Sequence, residues 1–290
     1  SYSFNALGEF VLVRVEEGGL LFEVQARTMR ILDSQTQQLS HSAYFVAFAI
    51  EHTGGPQLEV KMSPDGTTLI TTVNGNVVTL ENGQGMLSGA LTLVKRDEYP
   101  FALIATWTSG ISVNLTAENG IIHNEVTLPL AFMRRTVGLL GYWDGDVMND
   151  TMSRNGSIQA PSGPNGEFVE RDFFAFGLTW RTTPETSLFY YVDNNDTWAT
   201  YNVLDFVPKF LEDLIAEASE EELAAARAQC GNNDMCLYDR LATNNEQISG
   251  ATLDITKTIV AVSNMMSMSP PVFTTEVDFL DVIVGETVSL

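Results

Sequence analysis

The chain has 290 residues, 44% of them hydrophobic, with 15 basic and 37 acidic residues and a formal net charge of −22. That length supports one large domain or two smaller ones with proper cores, and that apolar fraction excludes wholesale disorder. The charge excludes a nucleic-acid footprint and opposes an anionic membrane surface, and no apolar run approaches the roughly 20 residues that cross a bilayer.

Residues 1–180 read as β-structure. Phe10–Val15 and Leu20–Ala26 flank Glu16-Glu-Gly-Gly19, a hairpin signal. Ala43–Ile50 is a buried-strand candidate, and Leu58–Met62 alternates apolar and polar residues, as a half-buried strand does. Turns at Pro64-Asp-Gly66 and Asn74-Gly75 set off Thr68–Val73 and Asn76–Leu80. Further strands are expected at Ala90–Lys95, Phe101–Thr106, Ile111–Thr116 and Glu125–Leu130. Many short strands with turns about every ten residues predict an antiparallel sandwich.

Within that region, Gly138–Asp150 carries the most chemical information. Asp144, Asp146, Asn149 and Asp150 place three carboxylates and one carboxamide in seven residues, with Gly145 to let the backbone turn. Hard oxygens crowded on a short loop suit Ca²⁺, and without a cation the loop carries self-repelling charge. The spacing is not that of an EF-hand. Counted from Asp144, the fifth, sixth and twelfth positions are Met148, Asn149 and Asn155. A solvated acidic turn is the other reading these residues allow.

The remainder changes character. Phe206–Gln229 is predicted helical with Pro208 near its start, and Ser219-Glu-Glu-Glu222 is a capping box that breaks it into two helices. The acidic run Glu217–Glu222 reads as a solvated helix start. Gly231 is placed as a helix stop. Cys230 and Cys236 are the chain's two cysteines. They form one small disulfide loop in an oxidising compartment or stay reduced in a cytosolic one. A Cys/His metal site is excluded by scarcity, since His41, His52 and His123 are scattered. Met265, Met266 and Met268 read as packing residues. Pro270-Pro271 marks a boundary, after which Val277–Leu290 alternates like the first strands of an immunoglobulin-like or cadherin-like module. With no starting Met and no signal pattern, the chain is expected to be a mature product or part of something larger. Asn114, Asn149, Asn155 and Asn195 head Asn-x-Ser/Thr sequons, and Asn149 is unavailable if its side chain faces a cation.

Gly138-Leu-Leu-Gly141, Trp143, Asp144-Gly145 and Asn149-Asp150, followed by Phe176-Gly-Leu-Thr-Trp180, resemble the motifs of the von Willebrand factor type D domain. Phe4-Asn5-Ala-Leu-Gly8-Glu-Phe10 resembles that family's opening strand, and the resemblance covers about residues 1–190. Leu140 stands where many relatives have Cys, and the relatives' disulfide framework is missing from residues 1–229. The cysteine-poor pattern, Ser187-Leu-Phe189 and Cys-x₅-Cys-Leu-Tyr-Asp at 230–239 are closer to mucin-like and sushi-domain cell-surface proteins. The resemblance implies a mainly β domain at 1–190, which the residue patterns above follow with a helical extension at 191–269 and an incomplete immunoglobulin-like or cadherin-like start at 270–290. It also implies a structural Ca²⁺ site in which Asp144, Asn149 and Asp150 match the ligand loop. Asn5 matches an oxygen-bearing position near the domain's start, and Asp146 is this chain's own addition. A cation there ties the first strand to a loop roughly 140 residues away, which closes a long loop; the alternative for Asn5 is a turn cap.

No nucleophile elbow, phosphate loop or His-Glu-x-x-His motif occurs, so no enzyme is expected. The expected function is an extracellular or cell-surface structural and adhesive module of a larger protein. It is glycosylated at Asn114, Asn155 and Asn195, and its partners are neighbouring domains, copies of itself, or an extracellular protein or glycan. Filament assembly through Val277–Leu290 is a further expectation. The alternative is a Ca²⁺-assisted glycan-binding or hydrolytic domain, for which Asp144 and Asp146 offer a carboxylate pair.

Overall fold

A computed structural model describes residues 3–83, 85–192 and 195–267. The expectations for Met268, Pro270-Pro271, the module start at 270–290 and the assembling strand Val277–Leu290 therefore lie outside the described residues.

Twelve strands form two antiparallel sheets. The larger contains β1 (Glu9–Glu17), β2 (Leu20–Leu32), β3 (Leu39–His52), β4 (Leu58–Met62), β5 (Leu69–Val73), β6 (Asn76–Val78) and β12 (Thr136–Val137), in the order β12-β1-β2-β3-β4-β5-β6. The smaller holds β7 (Gly85–Ser88), β8 (Leu91–Arg96), β9 (Phe101–Trp107), β10 (Ser112–Glu118) and β11 (Ile121–Thr127), in the order β11-β10-β9-β8-β7. Side chains on alternate positions of each sheet meet between them. Phe10, Phe22, Val24, Ile50, Leu58 and Val60 face Leu91, Leu93, Leu103, Trp107, Val113 and Leu115 in one core. Phe22 and Trp107 lie edge to face with centroids 5.6 Å apart, the arrangement ring quadrupoles favour. The architecture is the expected sandwich, mainly β, followed by helices.

Strand β11 begins four residues before the expected start at Glu125. Asn119 (φ 51°) and Gly120 (φ 79°) are both left-handed and make a two-residue hairpin that pairs Glu118 with Ile121. This is the Asn-Gly turn that matches strand twist, and it sets the register. Helix α1 (Glu170–Leu178) interrupts the region read as all β. Its start is held by Asp172, whose carboxylate accepts the Val169 N–H at 3.0 Å and the Ser162 N–H at 2.9 Å.

The outer face of the larger sheet is not solvated. Ala47 and Ala49 leave room on β3, and Phe189 packs on them. The segment Thr186–Tyr191 crosses this face as a strap with its backbone bonded to side chains of the sheet. The Leu188 N–H donates to Gln25 Oε1 at 2.8 Å, the Tyr190 N–H to Glu59 Oε2 at 2.7 Å, and Gln25 Nε2 to the Thr186 carbonyl at 2.8 Å. Gln57 donates to the Leu188 carbonyl as well. Buried polar side chains thus replace the missing ladder partners of an irregular segment.

After the single turn α2 (Trp198–Tyr201) come α3 (Leu211–Glu217), α4 (Glu220–Cys230), α5 (Asp234–Thr243) and α6 (Glu246–Ser267). The break between α3 and α4 falls at the expected capping box. Ser219 Oγ accepts the Glu222 N–H at 3.2 Å, and Glu222 returns a bond to the Ser219 N–H at 2.9 Å. Gly231 closes α4 at φ 59°. The first helix starts later than expected, at Leu211, where Asp213 accepts the Phe210 N–H at 3.0 Å. Helices α5 and α6 lie within the stretch 191–269 read as a helical extension, but they were not placed individually. Asn233 caps α5 through the Cys236 N–H at 2.8 Å, and Asn245 caps α6 through the Gln247 N–H at 2.9 Å. Met265 and Met266 fall near the end of α6.

Candidate metal centre

The Gly-Leu-Leu-Gly motif runs along β1. The Leu139 N–H donates to the Val11 carbonyl at 3.1 Å, and the Leu140 N–H to the Leu12 carbonyl at 2.8 Å. Gly138 has φ +125°, and a Cβ there would lie 2.5 Å from the Leu12 carbonyl oxygen. Gly141 has φ +86°, and its Cβ would lie 2.5 Å from Asp150 Oδ1. The two glycines therefore allow close approach, one to the sheet and one to a candidate ligand. Leu140, at the position where relatives carry Cys, is exposed.

The loop beyond Gly141 is organised by its own side chains. Asp144 Oδ1 accepts the Asp146 N–H at 2.9 Å, and Asp146 Oδ1 accepts the Met148 N–H at 3.0 Å. Asn149 Nδ2 donates to Asp144 Oδ2 at 3.0 Å, and Asp150 Oδ1 accepts the Tyr142 N–H at 3.1 Å. The Asp146 N–H and then the Asn149 amide hold the Asp144 carboxyl below its ordinary value. Asp150 is pushed up, first by burial and then by the charges of Asp144 and Asp146, against the Tyr142 N–H that lowers it. Asn149 Oδ1 is enclosed and has no hydrogen-bond partner among the described residues. An enclosed acceptor without a donor is costly, and a hard cation satisfies it.

Asn5 is buried at 7% exposure, and its Oδ1 accepts the Ala43 N–H at 3.1 Å and the Ser42 hydroxyl at 3.5 Å. Asn5, Gly141 and Asp150 line one cavity, so the start of the chain and the acidic loop face the same space. Among the described residues, no three Asp, Glu, His or Cys side chains converge as a metal cluster. The enclosed oxygen belongs to a carboxamide, Asn149, and Ca²⁺ takes carbonyl oxygens as well as carboxylates. In the chemistry of its donors, one enclosed amide oxygen on a carboxylate-bearing loop, the set is one that a hard cation would suit.

The other expected sites are separate from the loop. Cys230 and Cys236 form a disulfide with Cα atoms 5.5 Å apart, joining α4 to the first turn of α5. Asn155 and Asn195 are exposed, whereas Asn114 is half-buried in β10 with its Oδ1 enclosed. His52 stacks on Trp107, centroids 5.7 Å apart, and the Lys209 N–H donates to His41 at 3.4 Å.

Two constellations escape sequence reasoning. Arg27 (5% exposed) donates from Nε and Nη2 to Glu9 Oε1 at 2.9 and 2.8 Å, and its guanidinium lies 3.6 Å from the Tyr201 ring centroid and 4.3 Å from that of Phe189. Glu9 Oε2 accepts the Ser187 and Tyr191 hydroxyls at 2.7 and 2.6 Å. A hairpin read outward from Glu17 and Leu20 sets Glu9 opposite Thr28; a bulge between Val11 and Val13 shifts the pairing to Arg27, and neither that bulge nor the strap was open to a hairpin reading. The second is Asp239 of α5, which accepts from Tyr44 (2.7 Å), Ser42 (3.1 Å) and Thr252 (2.6 Å) and so joins β3, α5 and α6. Beside it, the Tyr238 hydroxyl donates to the Lys209 carbonyl at 2.9 Å. The Leu-Tyr-Asp after Cys236 was visible as a motif, but its docking role was not.

The fold is a two-sheet antiparallel β-sandwich with an acidic loop fixed to the first strand, followed by a helical extension. The model of the von Willebrand factor type D domain matches residues 1–157, more than half of the chain, and the chain belongs to that family. Residues 217–264 match the Mucin-4-like C8-3 domain. Among relatives, human Mucin-4 is 27% identical over 278 residues, covering 93% of this chain and 5% of that protein. Protein mesh of Bombyx mori is 23% identical over 279 residues (90% of this chain, 17% of the relative), and human Sushi domain-containing protein 2 is 25% identical over 261 (87% and 30%). The chain thus spans less than a third of the length of these relatives. No described helix is long and apolar enough to cross a membrane.

Proposed function

We propose that this chain is a non-enzymatic, extracellular or cell-surface structural module of a larger multidomain protein, braced by one Ca²⁺ ion at the Asp144–Asp150 loop. The observation that carries this reading is Asn149 Oδ1, enclosed and without a hydrogen-bond donor among the described residues, on a loop whose sequence carries three carboxylates. Asp144, Asn149 and Asp150 would hold the ion and Asp146 would add charge from the rim. Asn5 would reach it from the first segment by exchanging the long Ser42 hydroxyl bond on its Oδ1 for the ion while keeping the Ala43 bond. Charge neutralisation on a loop fixed to β1 gives the ion a bracing role. Residues 1–190 act as the β unit and 191–269 as its helical extension. Partners are neighbouring modules of the same polypeptide or further copies. The Cys230–Cys236 disulfide supports an oxidising compartment, and the exposed sequons at Asn155 and Asn195 suit glycosylation there.

Calorimetric melting with Ca²⁺ and with chelator tests the proposal. A cation that binds only the folded form raises the melting temperature by mass action. Wild type should show that rise, and Asp150→Ala should lower the melt in Ca²⁺ and abolish the difference. A wild-type melt indifferent to Ca²⁺, or an Asp150→Ala variant that still responds, overturns the assignment.

A further inference from the structure

A cavity of about 670 Å³ opens between the sandwich and the helical extension. That volume is within the range of small-molecule sites, roughly 300–1,000 Å³. Its walls are mostly apolar: Phe45 of β3, Ile122 of β11, Met148 of the acidic loop, Phe173 of α1, and Ile248 and Ile255 of α6. Five separate parts of the chain therefore contribute to one cavity.

The polar groups on the wall share a sign. Glu118, Asp150 and Asp239 line it, and no lysine or arginine does among the described residues. Asp239 is 8% exposed and accepts from three hydroxyls, those of Ser42, Tyr44 and Thr252. Three donated hydroxyl bonds are the environment of a carboxylate, which accepts only. No ion pair reaches it among the described residues. A buried carboxylate is ordinarily paired with a cation, and among the described residues no lysine or arginine lines the cavity this one faces. His123 also lines the cavity, and its Nε2 is enclosed with no hydrogen-bond partner among the described residues. In the neutral tautomer protonated at Nδ1 it offers a second acceptor.

We propose that this cavity binds a small apolar molecule bearing a protonated amine, with the ammonium at Asp239 and the hydrocarbon body against Phe45, Ile122, Phe173 and Ile255. An ammonium brings three donors and no acceptor, which complements a carboxylate with one lone pair open on Oδ2 and a cavity wall that also holds an unpartnered imidazole nitrogen. A neutral apolar ligand leaves the carboxylate without a counter-ion, and an anionic one adds like charge. The chain's own residues 268–290 are the wrong occupant by charge, since they carry Glu276, Asp278, Asp281 and Glu286 and no lysine or arginine.

The test uses three matched probes, 4-phenylbutylamine, 4-phenylbutan-1-ol and 4-phenylbutanoate, titrated calorimetrically into the full chain in calcium-containing buffer. The amine should bind one to one, about tenfold or more tighter than the alcohol, as a charge-assisted contact requires. Asp239→Asn should bring amine and alcohol to within a few-fold of each other. Ala251→Phe, which fills the cavity from α6 without touching a charge, should abolish saturable binding of the amine. If Asp239→Asn does not fold, the wild-type preference and the Ala251→Phe result decide. Equal binding of amine and alcohol, a preference for the carboxylate, no binding of the amine, or amine binding that survives Ala251→Phe overturns the proposal; the last places the amine on the acidic surface. Because Asp150 lines the same cavity, the titrations are repeated in chelator: a preference for the amine that persists there and is lost in Asp239→Asn stands whether or not the loop holds calcium, and a preference seen only in chelator places the amine at the loop and overturns the proposal.

Discussion

Removing the cation from the Glu9–Arg27 pair should be the most damaging single charge change in the sandwich. Glu9 is fully buried and Arg27 is 5% exposed, so solvent screens neither. In Arg27→Met, Glu9 keeps only the Ser187 and Tyr191 hydroxyls. An uncompensated buried charge costs about 3–5 kcal/mol. Loss of the rings' attraction for the guanidinium adds about 1 kcal/mol, and apolar packing of Met among Phe189 and Tyr201 offsets a similar amount. The expected cost is therefore about 4 kcal/mol. Glu9→Gln should cost about 2 kcal/mol, because the aromatic rings still stabilise the remaining cation. The double variant Glu9→Gln/Arg27→Met should cost about 3 kcal/mol, well short of the sum of about 6, giving a coupling of about 3 kcal/mol. Urea denaturation of the four proteins measures all three quantities. An Arg27→Met cost below about 1 kcal/mol, or additive single effects, would show that the strap is not fastened through this pair.

Three further outcomes follow from the same geometry. Replacing Cys230 and Cys236 by Ser frees a seven-residue loop and should cost roughly 2 kcal/mol by the chain-entropy relation, read as a lower urea midpoint relative to the oxidised protein; an unchanged midpoint contradicts it. Gly177→Ala would set a Cβ 2.2 Å from the Phe4 ring, so a loss of about 1–3 kcal/mol is expected, and Phe4→Leu in the same chain should recover part of it. Burial pushes the Asp239 carboxyl above its ordinary 3.8 despite bonds from Thr252, Tyr44 and Ser42. A carboxyl raised on folding binds more protons in the native state, so its penalty is absent below 3.8, grows as pH rises and is complete above the raised value. Asp239→Asn should therefore flatten the fall in stability between mildly acidic and neutral pH; an unaltered pH profile would sink this assignment.

Much of the sandwich was legible because its rules are local. Leu58–Met62 alternates, Gly18-Gly19 and Asn74-Gly75 supply left-handed turns, and strands appear between them as expected. The capping box at Ser219 and the stop at Gly231 were legible for the same reason. Strand β1 was different: Glu9 and Arg14 interrupt its apolar run, yet both of its faces are largely covered, because a strap from residue 186 onward lies on it. Nothing within Glu9–Glu17 announces that cover. Helices α5 and α6 were not placed individually since Asn233 and Asn245 cap them without a following apolar run that stands out, and their burial depends on docking to β3 through Tyr238 and Asp239. The acidic loop was legible as a set of oxygens, but its glycines acquire their reason only when Leu12 and Asp150 are seen against them.

A crystal structure grown in Ca²⁺, with anomalous scattering recorded to identify the ion, tests the central claim most directly. The account predicts a peak 2.3–2.6 Å from Asn149 Oδ1, with carboxylate oxygens of Asp144 and Asp150 at the same range. Asn149 Oδ1 satisfied by a protein N–H or a water, with no ion within that distance, would contradict it.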